Sequence, residues 1–422
     1  MAVNPYDGAG YGCGIGYGYC GTPASGALDI LASVGTSTSK TSAQVTADGD
    51  GLKDIAVPFS SKAFLPFSAL MASSTGASNA TIGLGGFTSS SQFAVAAQSQ
   101  DGVTTSNTDR RHTASSVVSV LNNSGSEIIG ASKESIQSDG VTLNWTNAAA
   151  SAYILNHIAL GGADLEVSLT LHQMNNTGAD ESFAHGLSGA PTGVLFFSAV
   201  YNAAPPSTTT VLHSSIGMYS SSGQYCGSIY SGNGATTTLT RRVLLNSGVV
   251  SYTDNAIRKV LTVDTTDSTN VNCSYTVTGT TYQTRFFMLA IRGAKVQTGT
   301  FDCNGSTDPL SISCAGITPV AMRLVNIPTG VDSINTLQNN AHLGIGWSDG
   351  TNNVSCGITD ENGRISGTNA RRFQDSDDIA QYDVAGTEKF RARVTFSGEN
   401  AIITPAVCND GWDQGAYIII GK

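Results

Sequence analysis

A pattern of about forty residues recurs three times in this sequence and limits the folds open to the chain. Each copy contains a glycine near an aromatic residue, then a short apolar run, a glycine-containing turn and two adjacent arginines. The arginine pairs are Arg110 and Arg111, Arg241 and Arg242, and Arg371 and Arg372. Their first members are spaced by 241 − 110 = 131 and 371 − 241 = 130 residues. A period of this length predicts a string of three similar domains.

The sequence around each copy keeps the same period. Phe67-Ser68-Ala69 precedes the first copy and Phe197-Ser198-Ala199 precedes the second. We therefore divide the chain into an N-terminal arm and linker at 1–51 and repeats at 52–167, 168–296 and 297–422. Each repeat has the size of a domain that can fold alone.

Short apolar runs and turn signals predict that every repeat is built from β-strands. In the first repeat the predicted strands are 55–59, 63–71, 91–97, 116–121, 126–132, 140–146 and 153–161. Turn sequences such as Asp101-Gly102 and Asp139-Gly140 separate them, which is typical of antiparallel sandwiches. The predicted fold class is all-β: three tandem antiparallel β-sandwich repeats, of the jelly-roll or lectin-like kind, with an extended N-terminal arm.

The N-terminal arm alternates glycine with other residues from Gly8 to Gly18, so it cannot form a core of its own. Its tyrosines offer a large contact area with few rotatable bonds, which suits an interface. They are Tyr6, Tyr11, Tyr17 and Tyr19. We expect either a docking arm that lies on a neighbouring subunit or an arm folded back on the first repeat.

The apolar run at 27–34 predicts a short helix. Asp48-Gly49-Asp50-Gly51 predicts a plain turn, because the calcium-loop ligand positions are not filled.

Charge and hydropathy exclude several classes of partner. The net charge is −10 and there is no basic run, which argues against nucleic acid. No apolar stretch is long enough to span a membrane as a helix. The first residues lack the features of a secretory signal, so synthesis in the cytoplasm is expected.

The eight cysteines are too few for a disulfide scaffold. Cys226 and Cys356 occupy the same position in the aligned repeats, and the pattern predicts free thiols in the core. Two other pairs are candidates for disulfides: Cys13 with Cys20, and Cys303 with Cys314. No cysteine or histidine has metal-ligand spacing, so the sequence predicts no metal and no cofactor.

The arginine pairs admit more than one interpretation. Adjacent residues of a strand face opposite sides, so one arginine of each pair should point inward and require a partner. The first interpretation is an ion pair within the domain, with Asp109, Asp139 and Glu399 as candidate partners. The second is a contact between repeats or between subunits. Substrate binding is the third.

Ligand-binding and catalytic motifs receive little support. Loops such as 101–105 are common binding positions in sandwiches, and Trp145, Trp347 and Trp412 could stack on a sugar. Trp347 matches Phe87 and Tyr219 in the repeat, which favours a core role. The acidic clusters at 180–185 and 375–378 match no catalytic motif. The sequence therefore predicts a protein that is not an enzyme.

One part of the sequence resembles a known class of proteins. The run Asp139-Gly140-Val141-Thr142-Leu143-Asn144-Trp145-Thr146, followed by Ile158-Ala159-Leu160-Gly161-Gly162, resembles structural proteins of tailed bacteriophages. The match is best over 64–162. The resemblance implies a component of a phage particle and supplies no catalytic residues.

The expected function is that of a non-enzymatic virion structural protein, assembled in the host cytoplasm, which decorates or joins the capsid or tail. Its expected partners are other virion proteins and further copies of itself, with no nucleic acid and no membrane. A receptor-binding or glycan-binding tail fibre or spike, which would contact a host surface glycan, is the alternative. A cellular surface-layer or filament subunit is a third possibility.

Overall fold

The computed structural model describes residues 31–38, 51–147, 153–175, 177–201, 204–277, 284–328, 334–409 and 411–422. Throughout these ranges the chain is all-β, as the sequence predicts. The described strands form three seven-stranded and three four-stranded sheets, and the pairs are antiparallel. Within the same ranges no helix has the length and apolarity needed to cross a membrane.

The strands fall into three units of eleven. In the first unit they are β1 (Leu31–Thr38), β2 (Leu52–Ala56), β3 (Ser61–Ser68), β4 (Thr75–Ser78), β5 (Ala80–Phe87), β6 (Gln92–Ser99), β7 (Thr108–Thr113), β8 (Val118–Leu121), β9 (Glu127–Ile136), β10 (Gly140–Asn147) and β11 (Ile154–Gly161). In the second they are β12 (Glu166–Met174), β13 (Glu181–Ala184), β14 (Gly193–Tyr201), β15 (Ser207–Thr210), β16 (Leu212–Ser220), β17 (Gly223–Ser231), β18 (Thr240–Leu245), β19 (Val250–Thr253), β20 (Ile257–Thr266), β21 (Asn270–Val277) and β22 (Thr284–Arg292). In the third they are β23 (Lys295–Asp302), β24 (Leu310–Ser313), β25 (Pro319–Asn326), β26 (Gln338–Asn339), β27 (Ala341–Ser348), β28 (Asn353–Asp360), β29 (Ala370–Asp375), β30 (Ile379–Tyr382), β31 (Glu388–Ser397), β32 (Asn400–Cys408) and β33 (Gln414–Gly421).

The units have the same strand order. The large sheet of the first unit runs β1-β11-β3-β5-β6-β7-β15, and its small sheet runs β2-β10-β9-β8. Adding eleven to each number gives the sheets of the second unit, β12-β22-β14-β16-β17-β18-β26 and β13-β21-β20-β19. The third unit has β23-β33-β25-β27-β28-β29-β4 and β24-β32-β31-β30.

The seventh strand of each large sheet comes from another unit. Strand β15 of the second unit pairs with β7 of the first, and β26 of the third unit pairs with β18 of the second. Strand β4 of the first unit then pairs with β29 of the third. The exchange is therefore cyclic, and it closes the three units into one ring within a single chain.

The large sheets are apolar on both faces because each separates two cores. In β3, Phe64 faces the small sheet of its own unit, whereas Leu65 and Phe67 belong to a core shared by all three large sheets. The shared core also contains Phe197 of the second unit and Trp347 of the third. Residues buried on both faces of a strand give continuous apolar runs rather than alternation, as in Ser61–Ser68.

The ends of the units differ in part from the expected boundaries. The second and third units begin with β12 at Glu166 and β23 at Lys295, close to the expected 168 and 297. The first unit includes β1, which pairs with β11 over Leu31–Thr38 and lies within the segment expected to be arm and linker. The short helix expected at 27–34 is wrong for residues 31–34, because their backbone groups pair with the edge of a sheet.

Candidate functional site

We call each place where a strand of one unit pairs with the large sheet of another a seam. The repeated residues converge at these seams. Arg372 on β29 donates from Nη1 to the carbonyl oxygens of Ser78 at 2.6 Å and Asn79 at 3.1 Å, both in the first unit. Arg242 on β18 donates from Nη1 to the carbonyl of Asn340 at 3.0 Å, in the third unit. Each guanidinium therefore holds the end of the strand that its unit receives. Burial lowers the pKa of Arg242 to about 10 and also lowers that of Arg372.

The other arginine of each pair makes different contacts. Arg111 pairs with Glu127 of its own unit at 3.2 Å and donates to Thr208 Oγ1 of the second unit at 3.2 Å. Arg241 donates to Asn362 Oδ1 of the third unit at 2.7 Å. Arg371 donates to the carbonyl of Val384, within its own unit, at 2.8 Å. The described contacts thus include one ion pair inside a unit and several hydrogen bonds between units.

The acidic partners proposed from the sequence have other roles. The carboxylate of Asp109 accepts a hydrogen bond from Gln98 at 2.5 Å, and that of Glu399 accepts one from the backbone N–H of Gly316 at 2.9 Å. Asp139 lies exposed in a turn. Glu127, which does pair with Arg111, lies on β9 of the neighbouring small sheet and was not among the partners expected from the sequence.

The strand register shifts the first arginine pair by one residue relative to the other two. The pairs Ser99 with Thr108, Ser231 with Thr240, and Asp360 with Ala370 occupy the same place in their units. Counting along each strand from these pairs makes Arg110, Arg242 and Arg372 equivalent. By the same count, Asp109 of the first unit is equivalent to Arg241 and Arg371. The same counting corrects two sequence matches. Cys226 corresponds to Ser355 rather than Cys356, and Trp347 corresponds to Met218 rather than Tyr219.

The glycine-containing loops form a second set of links between the units. Asn233 Oδ1 accepts from the backbone N–H of Thr108 at 2.8 Å, and Asn362 Oδ1 accepts from that of Thr240 at 2.9 Å. Asp101 Oδ1 completes the cycle by accepting from the N–H of Ala370 at 2.9 Å. The next residues, Gly102, Gly234 and Gly363, have φ values of 72°, 71° and 76°. A side chain is rarely tolerated in that conformation, which explains the glycine in each copy.

Main-chain hydrogen bonds reinforce these loops. The N–H of Gly234 donates to the carbonyl of Ser106 at 2.8 Å, and that of Gly363 donates to the carbonyl of Thr238 at 2.8 Å. The N–H of Gly102 donates to the carbonyl of Thr368 at 3.0 Å, so the same bond occurs at all three seams. These loops, which the sequence offered as a place for ligand binding, use their hydrogen-bonding groups to join neighbouring units.

A buried carboxylate lies where the three units meet. Ser231 Oγ donates to Asp360 Oδ2 at 2.6 Å, and the hydroxyl of Ser99 also faces that carboxylate. The three residues occupy one position of the repeat and come from three different units. Burial raises the pKa of Asp360 to about 6, against the lowering effect of the two serine hydroxyls.

The shared core contains a buried arginine. Arg323 is 1% exposed, and its guanidinium carbon lies 4.8 Å from the ring centre of Phe197 and 5.5 Å from that of Trp347. Its Nε and Nη1 have no hydrogen-bond partner among the described residues. It borders a cavity of about 10 Å³, also lined by Leu65 of the first unit. Burial lowers the pKa of Arg323 to about 9.

The tryptophans and the acidic clusters have structural surroundings. Trp145 and Trp347 are buried in cores, so their faces are not available to a sugar. Trp412 is half-buried, and its ring packs edge-on against that of His342, with the ring centres 4.7 Å apart. Glu181 accepts from the N–H of Asn175 at 2.9 Å, and Asp375 Oδ1 accepts from the N–H of Asp377 at 2.8 Å. These carboxylates stabilise turns.

Cys226 and Cys356 are buried free thiols, as expected, but they lie on opposite faces of their sheets. Cys303 and Cys314 are also free, so the disulfide considered between them is not formed. The tyrosines Tyr6, Tyr11, Tyr17 and Tyr19, the pair Cys13 and Cys20, and the turn at 48–50 lie outside the described residues.

Comparisons with protein-family models, with curated proteins and with solved structures found no match for this chain. The functional argument therefore depends on the seams. Sequence reasoning identified the arginines and the glycine loops but missed the exchanged strands. Strand β4 at Thr75–Ser78 has no apolar residue except Ala77, so its pairing with a strand almost three hundred residues away left no sequence signal.

Proposed function

We propose that this chain is a non-enzymatic structural protein of a tailed-phage virion and that its three sandwiches act as one rigid platform. Cyclic strand exchange is the observation that carries the proposal. The residues that recur in all three repeats, Arg110, Arg242 and Arg372 with the glycine loops, lie at the seams. Assembly of the ring explains why these residues recur in each repeat. A substrate bound by all three repeats is not needed to explain them.

Several features support a role in a particle. A ring closed within one chain needs no second subunit to satisfy its sheet edges at the seams, which leaves its outer surface for other proteins. A surface with few charges and a net charge of −10 favours other proteins over nucleic acid as partners. We propose that the partners are capsid or tail subunits and further copies of this chain, and that the mature location is the virion.

The N-terminal segment is the proposed attachment point. Its four tyrosines offer aromatic contact area on a glycine-rich backbone, which suits a segment that docks on a partner. The first test is to purify particles from a phage that encodes the chain, measure its copy number by quantitative mass spectrometry and locate it by cryo-electron microscopy. A constant copy number per particle is expected. Absence from purified particles would contradict the proposed function.

The second test separates attachment from folding. Deletion of residues 1–23 should leave the thermal unfolding of the described ring unchanged and remove the chain from particles. A matched variant replaces Tyr6, Tyr11, Tyr17 and Tyr19 by serine and keeps the length of the segment. Normal incorporation of both variants would refute the docking role without affecting the structural assignment.

Sugar binding by a tail fibre or spike is the second candidate. It is favoured by Trp412, which is half-buried, whereas the other two tryptophans are enclosed in cores. A glycan array probed with the full chain and with Trp412→Ala distinguishes the two functions. Binding that is lost in the variant would favour receptor recognition, and the absence of binding would favour the platform.

A further inference from the structure

Two thiols and a carboxylate converge at one end of the third sandwich. The ligand atoms of Cys303, Cys408 and Asp413 all lie within 4.8 Å of one another. Cys408 Sγ is 3.1 Å from Asp413 Oδ2. A tetrahedral zinc ion has Zn–S bonds of about 2.3 Å and Zn–O bonds of about 2.0–2.2 Å, which place its ligand atoms roughly 3.5–3.8 Å apart. Small side-chain rotations would bring the three groups to that spacing.

The orientation of Asp413 leaves one oxygen available. Its side chain is fully buried, and Oδ2 accepts a hydrogen bond from the backbone N–H of Gly305 at 2.7 Å. Oδ1 has no hydrogen-bond partner among the described residues. A buried carboxylate oxygen without a partner costs free energy, which a bound cation would recover. The backbone contact fixes the carboxylate as an outer-shell hydrogen bond does in metal sites.

The cluster also gathers acidic groups around the two thiols. Asp302 lies next to Cys303 in the chain, and the carboxylate of Asp413 contacts Cys408. A divalent cation would supply positive charge to these groups.

The fold does not need polar residues at these positions. Strand register places Met174 and Thr284 of the second unit where Cys303 and Asp413 stand in the third. Met174 is fully buried there and packs in the sandwich core. The second unit therefore folds without this cluster, and sandwich packing does not explain it.

We propose that Cys303, Cys408 and Asp413 bind one zinc ion. Two thiol ligands select zinc over calcium and magnesium, which prefer oxygen ligands only. Cys303 and Asp413 flank strands β23 and β33 of the large sheet, and Cys408 ends β32 of the small sheet. The ion would fasten the two sheets at this end, with a fourth position open to water through the half-buried Cys408.

The test uses the full chain, expressed with zinc, purified under reducing conditions and analysed for metal by plasma mass spectrometry. One zinc ion per chain is expected after gel filtration. Cys408→Ser and Asp413→Asn should each weaken zinc binding by more than the roughly 10–100-fold that loss of an outer-shell contact costs. Cys314→Ala, which removes a buried thiol of the same unit outside the cluster, should retain the metal.

A spectroscopic measurement does not depend on the variants. Cobalt added to metal-free wild-type protein should give a thiolate-to-cobalt charge-transfer band of two-sulfur intensity, and zinc should displace it. Equal zinc retention by the wild type and Cys408→Ser, or no charge-transfer band, would overturn the proposal. A disulfide between Cys303 and Cys408, found by mass spectrometry in protein alkylated at cell lysis before any reductant is added, would also overturn it.

Discussion

Ser231 of the second unit donates a 2.6 Å hydrogen bond to Asp360 of the third, although the two residues occupy the same position of their repeats. Ser99 holds that position in the first unit. In a trimer of identical chains the meeting point of the units would contain three copies of one side chain. Joining the units in one chain allows two hydroxyls to meet one carboxylate, so a single charge is buried there.

We expect Asp360→Asn to stabilise the protein at neutral pH. The folded pKa of Asp360 is about 6 and the ordinary value is 3.8, so the folded state binds more protons than the unfolded state between these values. The destabilisation is therefore complete above about pH 6 and disappears as the pH falls toward 4. At most it amounts to roughly 3 kcal/mol, from 1.36 kcal/mol per pKa unit.

Urea unfolding at several pH values measures this effect. The difference in free energy of unfolding between Asp360→Asn and the wild type should shrink between pH 6 and pH 4. All other titrating groups are common to the two proteins, so their contributions cancel. A difference that does not vary with pH would show that Asp360 is not a buried charge in solution.

Val211→Asn should also stabilise the chain. Val211 has φ = 82°, a conformation in which β-branched residues are strained by roughly 1–3 kcal/mol. The equivalent residues are Asn79 and Asn340, with φ of 65° and 63°. Their Oδ1 atoms accept from the N–H groups of Asp101 and Asn362, both at 2.8 Å. The variant should gain about 1–2 kcal/mol in calorimetry. The reverse change, Asn340→Val, is the matched control and should destabilise.

Arg323→Leu should stabilise the shared core. Strand register places Leu65 and Leu195 at the positions equivalent to Arg323, so the other two units already use leucine there. Replacing buried charges by apolar residues is often neutral or stabilising by about 1–4 kcal/mol. Loss of the cation–π contacts that the guanidinium makes with Phe197 and Trp347 reduces this gain by about 1–2 kcal/mol. A lower unfolding midpoint in denaturant would show instead that the guanidinium has a partner in solution.

The sequence predicted the sheets better than it predicted how they join. The expected strands at 91–97 and 140–146 agree with β6 (Gln92–Ser99) and β10 (Gly140–Asn147), because turns and apolar runs are local signals. The amino-acid sequence alone could not determine how the arginine pairs of the three repeats align with one another. Adjacent arginines match in either of two alignments, and only cross-strand pairing shows that Arg110 corresponds to Arg242.

The exchanged strands and the cysteine cluster were missed for a related reason. Strand β15 at Ser207–Thr210 consists of serine and threonine only, and its neighbour β7 belongs to another repeat. Cys303 and Cys408 are far apart in sequence, so they show no metal-ligand spacing. In both cases the information lies in tertiary contacts, which no local window contains.

Acid should weaken the ring through two buried histidines. His213 and His342 occupy equivalent positions of their units. Burial lowers the pKa of each well below 6.5. The positive charge of a neighbouring unit's arginine lowers it further, Arg110 for His213 and Arg242 for His342. The unfolded state then binds more protons below about pH 6.5, so stability falls as the pH decreases. Replacing both by threonine, the residue at position 81 of the first unit, should give a shallower dependence between pH 6.5 and 4.5. An unchanged slope in urea unfolding would contradict the assignment.

The closing seam can be tested at Arg372, which links the last unit to the first. Arg372→Ala removes the hydrogen bonds to the carbonyls of Ser78 and Asn79, and each bond of a charged donor contributes about 1.5–3 kcal/mol. Removing a half-buried charge offsets part of this, so we expect a net loss of about 1–3 kcal/mol. Arg393→Ala, which breaks an exposed ion pair with Asp378, should cost less than about 1 kcal/mol.

Hydrogen exchange shows where the ring opens in Arg372→Ala. Amide protection should fall first in β4 and β29, while β15 and β7, at the seam between the first and second units, should keep theirs. The reason is that the exchanged strands are short and have few apolar contacts of their own, so local opening precedes global unfolding. Uniform loss of protection over all three seams would mean that the units separate cooperatively, and that the ring behaves as one folding domain.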